Sequence, residues 1–457
     1  MLKPHGAWGA AIAFAATLFA FSPASAESLI AAMASAYTNN TTLNSVRAQV
    51  RAVDEDVSQA LAGFRPQVSA AANAGVATSR TSSFPAWSSA RYPRGISITV
   101  DQPLFLGFRT VNSVKVAKKT VLSAREQLRG VEQQTLLDTV TAFMNVLQAQ
   151  VVLNLNAQNV QFLREQGRAA TDRLNVGEGT KTDVAQTNAS LASGLSAYNS
   201  AVAGVNSAIA VYEQVVGHRP SSLGAVTSVD GLLPASMEKA LDIAVGLHPS
   251  ILGALYSVDV AAYNVKVLEG AMLPSLSLEG SLSHADDSSA AGAWSDSASL
   301  MGQLSVPLYQ GGAPSSRVRQ AKETQDQRLL ELDTARAQVR QQVISAWGAL
   351  NAARAQVTAA ESGVSASQLV LSGIIEEQKV GQKTTLDVLN AQQALLTAKE
   401  AQAQAQHDRV VAAYTLLAAI GKLNAEVLRL KVAIYDPTLH YDAVKDKWFG
   451  LRTPEGR

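Results

Sequence analysis

The sequence predicts a mostly α-helical chain with a small membrane β component, in which short strands run on into long coiled helices. Three features predict this: strand-like alternation twice in each half of the chain, helical patterns of about 65 residues, and the same order of segments met twice.

The first segment is set apart from the fold. Lys3 gives a positive start, Ala7 to Phe21 form an apolar stretch, and Ala24, Ser25 and Ala26 make a small-residue cleavage site. Residues 1–26 therefore read as an export signal, with the mature chain expected to begin at Glu27. A membrane anchor in their place would need about 20 apolar residues, and Pro23 interrupts the run. There are no cysteines, which excludes a disulfide framework, thiolate chemistry and Cys-ligated metal. A net charge of +1 gives no electrostatic case for nucleic acid. With no later apolar run of the length a membrane helix needs, any span is expected to be built of strands.

Internal duplication organises the rest. Pro103 matches Pro307 at an offset of 204 residues, and the offset persists through VGEGTKTDV at 176–184 over VGQKTTLDV at 380–388, to Gly217 over Gly421. Upstream, Pro66 matches Pro274 at an offset of 208, so the loops between the strands differ by about four residues. This divides the chain into a first repeat at 27–222, a second at 223–424 and a tail at 425–457.

Each repeat begins with helix, at 28–63 and 236–270, followed by two strands. Ile96, Ile98 and Val100 share one face against Ser97, Thr99 and Asp101; Leu276, Leu278 and Leu282 alternate with serines and Glu279; Leu300, Leu304, Val306 and Leu308 oppose Ser299, Gln303 and Ser305. One apolar and one small polar face suits a barrel wall between lipid and water; strands of a soluble sandwich remain the alternative. The loops at 79–94 and 284–297 carry Phe84, Trp87, Tyr92 and Trp294, either an interfacial girdle or loop packing. Pro103 with Gly107, and Pro307 with Gly311 and Gly312, are read as strand-to-helix hinges: proline cannot donate to a ladder, and glycine tolerates the dihedrals of the bend.

The long helix after the second hinge is expected over about 313 to 378, approaching ~100 Å at ~1.5 Å per residue. Apolar residues recur three and four apart from Val318 to Leu350, while Ala and Gln dominate the flanks. Such a helix fits the wall of a water-filled tube better than a solid bundle. Gly177 and Gly381 stop the long helices, and Thr180 with Asp183 and Thr384 with Asp387 fit a capping pattern that starts the next pair.

VPLYQGG before a helix of RVRQAKE type, the turn VGQKTTLDVLNAQQALL and its partner VGEGTKTDVAQTNASL, in duplicate and in order, resemble the TolC family of outer-membrane efflux and type I secretion channels. The resemblance covers about 27–435, and the tail is similar to that of type I secretion members. Four strands are too few to close a barrel, so copies must combine. The resemblance implies a homotrimer: long coiled helices forming an α-barrel in the periplasm, continuous with a 12-stranded β-barrel in the outer membrane shared by three chains. It further implies a periplasmic adaptor protein and an inner-membrane pump, of ABC, RND or similar type, as partners. At the tip it implies a pore constriction at Asp387 and Asn390, gating contacts at Asp183 and Lys383, and adaptor docking at Val176, Gly177, Val380 and Gly381. Asn390 stands where the family carries a second aspartate, so three carboxylates rather than six would line the ring in a trimer.

No enzyme is expected, and no cofactor or metal. The six histidines fall in unrelated segments without carboxylates at ligand spacing, and no phosphate-binding glycine loop occurs. A cell-surface coiled-coil stalk would share the helices but would not require two equivalent strand pairs; a soluble periplasmic adaptor would lack the strands.

Overall fold

The computed structural model describes residues 26–78, 90–224, 226, 228–290, 292–454 and 456. The expected export signal, except Ala26, lies outside them, as do Phe84 and Trp87. The chain is mostly helical with one small open sheet.

The duplication extends to element lengths. Helices α1 (Leu29–Asn39) and α5 (Met237–Leu247) have 11 residues each, and α2 (Thr41–Ala62) and α6 (Pro249–Gly270) have 22 each. The long helices α3 (Arg109–Asn175) and α7 (Ala313–Lys379) have 67 each, and their return partners α4 (Lys181–Val216) and α8 (Thr385–Ala419) have 36 and 35. The segments at 28–63 and 236–270 are not single helices. Asn40 accepts from the Leu43 amide and starts α2 afresh, and Pro249 takes the first turn of α6, where a missing N–H costs nothing. A last helix, α9 (Thr438–Val444), lies in the tail.

Strands β1 (Gln67–Ala74), β2 (Arg94–Leu106), β3 (Ser275–Asp286) and β4 (Trp294–Ser305) pair antiparallel in that order. Gln67 opposes Asp101 in the first repeat and Ser275 opposes Ser305 in the second, so both hairpins share one register. The β2–β3 pairing joins the repeats, with Ile98 opposite Leu282 and Val100 opposite Gly280. Alternation then collects Val68, Ile96, Ile98, Leu282, Leu300 and Leu304 on one face, all exposed in the single chain. On the other, Ser281 and Ser299 hydroxyls lie 2.8 Å apart and those of Ser283 and Ser297 2.7 Å. The outer edges of β1 and β4 have no strand partner among the described residues.

The corners between strand and helix differ in one respect from expectation. β4 ends at Ser305, two residues before Pro307, but β2 continues through Pro103 to Leu106 with a register slip at Leu104. A bulge is where a ladder tolerates a residue without an N–H. The chain then turns at Gly107 and Phe108 (φ +61° and +62°) and at Gly311 and Gly312 (φ +63° and +80°). Phe108, unusual at positive φ, rests edge-on against Phe105 at 5.1 Å.

The main core sits at mid-height of the helical layer, where α3 meets the short helices and the ends of α4 and α8. Leu136, Val140, Phe143, Tyr212 and Leu417 are fully buried there. Windows of α3 and of 237–270 reach a mean hydropathy of 1.4, enough by composition to cross a membrane. In α3 that apolarity serves this core, and α6 packs between α3 and α7. The start of the second repeat, ahead of α5, is pinned by Asp230, which takes Arg354 of α7 at 2.9 Å and Arg409 of α8 at 3.0 Å.

Candidate functional site

The two turns farthest from the sheet form the candidate site. In each, a long helix ends on a glycine at positive φ, Gly177 (+85°) or Gly381 (+79°), and the chain enters a capping box within a few residues. The Thr180 hydroxyl accepts from the Asp183 amide at 3.1 Å, while the Asp183 carboxylate accepts from the Thr180 amide at 3.1 Å and hydroxyl at 2.6 Å. Thr384 and Asp387 repeat this with 3.2, 2.9 and 2.8 Å. The reciprocal bonds satisfy orphan helix donors and place a carboxylate at each positive helix end.

Both carboxyls are held below their ordinary value. For Asp183 the Thr180 hydroxyl contributes most, then the Thr180 amide; for Asp387 the Thr384 amide leads, then its hydroxyl, with a smaller contribution from the Lys383 charge. A depressed carboxylate stabilises the fold above its unfolded value, and that contribution is lost as pH falls through the folded value. Protection of the first turns of α4 and α8 from hydrogen exchange is therefore expected to hold above about pH 4 and fall below it. Thr180→Ala and Thr384→Ala are each expected to cost about 1 kcal/mol locally, seen as roughly fivefold faster exchange in those turns at neutral pH.

The turns face each other across a cleft of about 540 Å3 whose lining includes Arg173, Asp183, Gln378, Lys383 and Thr385. Asp183 and Lys383, paired by the sequence, thus share one cleft. Among the described residues Lys383 makes no ion pair, and its charge acts on Asp387. Buried Thr385 takes a bond from Gln378 Nε2 at 3.3 Å within its own turn and shares the cleft with Asp183, whose carboxyl its hydroxyl helps hold down. Sequence reasoning passed over Thr385. Its signal was a break in the duplication, since Lys181 occupies the equivalent place in the first repeat.

Asp387 and Asn390 are three residues apart on α8, Asp387 half-buried and Asn390 exposed, while Val388 and Leu389 between them are buried. Val176 and Val380, at the ends of the long helices, are 71% and 70% exposed. Equal exposure of two valines at equivalent places is not what folding of this chain alone would select.

The duplicated hairpins, the open sheet and the paired tips are matched by a family model for outer membrane efflux proteins, over residues 32–216 and 240–422. The chain belongs to the outer membrane efflux protein family. Its place is accordingly the outer membrane. Within the family it is 44% identical over 449 residues to the outer membrane efflux protein BepC of Brucella suis, covering 98% of this chain and 97% of that one. It is 30% identical over 350 residues to the outer membrane protein TolC of Escherichia coli, covering 70% of each. The CmeC outer membrane channel of Campylobacter jejuni shares the fold, with a TM-score of 0.77 at 17% identity over 91% of this chain and 89% of that one.

Proposed function

We propose that three copies of this chain form the outer-membrane exit duct of a tripartite export system, passively conducting small molecules or secreted proteins from an inner-membrane pump to the exterior. The observation that carries this reading is a sheet open at both edges with one uncovered apolar face. Such a sheet is stable in a membrane only once copies close it. The repeats, 27–222 and 223–424, each contribute one hairpin and one helical pair, so three chains supply twelve strands and a continuous helical wall. Pro103, Gly107, Pro307, Gly311 and Gly312 serve as the hinges between wall and barrel.

The β2–β3 junction supplies the template for the missing seam. Carrying its register to β4 and to β1 of a second copy, at the offsets of the duplication, sets Leu304 opposite Ala72 and Ser305 opposite Ala71 of that copy. Residues opposed across a ladder lie within disulfide reach. The double variant Leu304→Cys/Ala72→Cys, in a chain that has no cysteine of its own, is expected to give a covalent trimer on oxidation, while Leu304→Cys alone does not. A double variant that stays monomeric on a reducing-agent-free gel, yet conducts in a planar bilayer, would refute the seam.

At the tip, Asp387 and Asn390 line the constriction, Asp183 and Lys383 hold its resting arrangement, and Val176, Gly177, Val380 and Gly381 receive a periplasmic adaptor. The motivation is their placement in equivalent turns around one cleft, with exposed valines at the outer ends. The duct binds no cofactor and performs no chemistry; the pump supplies the energy.

A further inference from the structure

The tail beyond the second repeat is not a loose end. Ala425 donates to Glu132 at 2.8 Å, and the Tyr435 amide to the Tyr37 hydroxyl at 3.0 Å. On α9, His440 Nδ1 lies 3.1 Å from the carboxylate of Asp54, which is fully buried, and Arg125 donates to the carbonyl of Pro437 at 3.2 Å while facing the Tyr441 ring at 5.3 Å. These contacts fix the tail against α2 and α3 and direct it toward the sheet. Ser58 and Arg65 then both donate to the carbonyl of Lys447, at 3.0 and 2.8 Å, and the Arg65 guanidinium lies 4.8 Å from the Trp448 ring.

Arg65 is two residues before the first residue of β1. Its neighbour Phe64 is tied to β2 by a bond from Gln102 Nε2 at 3.1 Å, and Gly63 abuts Thr110, the second residue of α3. Trp448 therefore sits at the level where strands give way to helices. Immediately beyond it, with no partner covering them in the single chain, Phe449 and Leu451 are 89% and 103% exposed, and Trp448 is 66% exposed. Gly450, at φ +111°, turns the chain between them. Basic residues flank this group: Arg65 lies over Trp448, Lys447 Nζ donates to the Arg452 carbonyl, and Lys445 pairs with Asp442 at 2.7 Å.

We infer that Trp448, Phe449 and Leu451 enter the periplasmic leaflet of the outer membrane and anchor the helical tube to the lipid below the barrel. The inference rests on the proposed barrel. A 12-residue strand at ~3.3 Å per residue, tilted by about 40°, rises about 30 Å, so the foot of the sheet falls at the membrane surface. Tryptophan favours headgroup depth, phenylalanine and leucine the acyl boundary, and basic side chains the phosphates around them. A neighbouring copy is the competing occupant, but the register above already assigns β1, the element next to Arg65, to its β4.

Because the native chain has no cysteine, one label can be placed at Phe449→Cys, at Leu300→Cys on the apolar face of β4, or at Val380→Cys at the tip. Each full-length variant, carrying an environment-sensitive fluorophore, is reconstituted into phosphatidylethanolamine and phosphatidylglycerol vesicles with brominated lipid, with iodide on both sides. The label at 449 is expected to be quenched by brominated lipid, as at 300, and to be about threefold less accessible to iodide than at 380. A 449 label that iodide reaches freely and lipid does not, beside a lipid-quenched 300 label, overturns the anchor and leaves the barrel standing. A 449 label silent to both quenchers means that a second copy covers it, which also overturns the anchor. If the 300 label too escapes the lipid, it is the barrel that fails.

Discussion

Gly107→Ala is expected to destabilise the folded chain by about 2–5 kcal/mol, and Gly311→Ala, its equivalent in the second repeat, by only about 1 kcal/mol. The two positions share a dihedral, φ +61° and +63°, so both variants carry the cost of a Cβ in the left-handed region. They differ in what that Cβ meets. At Gly107 it would lie 2.2 Å from the Gly270 carbonyl oxygen at the end of α6; at Gly311 nothing lies within 4 Å. The approach is reciprocal, since a Cβ on Gly270 would lie 2.2 Å from the Gly107 oxygen; Gly270 is helical, so Gly270→Ala carries the crowding without the dihedral cost and should destabilise somewhat less than Gly107→Ala. In the second repeat the corresponding neighbour would come from a second copy, where Ala62 stands in place of Gly270. In the proposed trimer that side chain would prevent a contact this close and make the junction between copies wider than the one within a chain. Loss of heat-resistant mobility in detergent, followed across temperature, ranks the variants. Equal behaviour of the Gly107 and Gly311 variants would show that crowding at the corner decides nothing.

What the sequence made legible was local or repeated. The capping boxes of Thr180 and Thr384 span three residues, and local hydrogen bonds alone decide them. The alternation of Ile96, Ile98 and Val100 fixed which face of β2 is apolar, because side chains on a strand have no other choice. The offset of 204 residues predicts the equal lengths of α3 and α7, since it runs without a gap from Pro103 over Pro307 to Gly217 over Gly421. Contacts between distant segments were not legible. Nothing near Asp230 announces Arg354 and Arg409, and nothing near Lys447 announces Arg65. The breaks at Asn40 and Pro249 are visible as residue types, a capping side chain and a first-turn proline, though the segments 28–63 and 236–270 are assigned simply as helix. Proline lacks a donor, so the sequence predicts that Pro103 ends its strand; pairing with β3 carries the strand past it by way of the slip at Leu104. At the tip, the residues that match between repeats carry the sequence signal, whereas Thr385, which lines the cleft beside Asp183, is where the repeats differ.

Asn390→Asp is expected to tighten block of the channel by a trivalent cation at least tenfold, measured as blocked current in a planar bilayer with hexaamminecobalt added on the tip side. Asp387 is the less informative position to change. Its carboxylate closes the capping box of α8, so Asp387→Asn would loosen the helix start and remove charge together. Asn390 lies one turn on, exposed, with no part in the cap, and Asp there adds charge alone. In a trimer it brings three further carboxylates. At about 8 Å and a dielectric constant of 80, each attracts a trivalent ion by about 1.6 kcal/mol, of which roughly half survives a Debye length near 10 Å, so three add about 2 kcal/mol. Tenfold requires about 1.4 kcal/mol. Asn390→Gln, which lengthens the side chain without charge, should leave block unchanged. If Asn390→Asp does so as well, position 390 lies away from the narrowest part of the path, and the constriction is set by Asp387 and the turn before it.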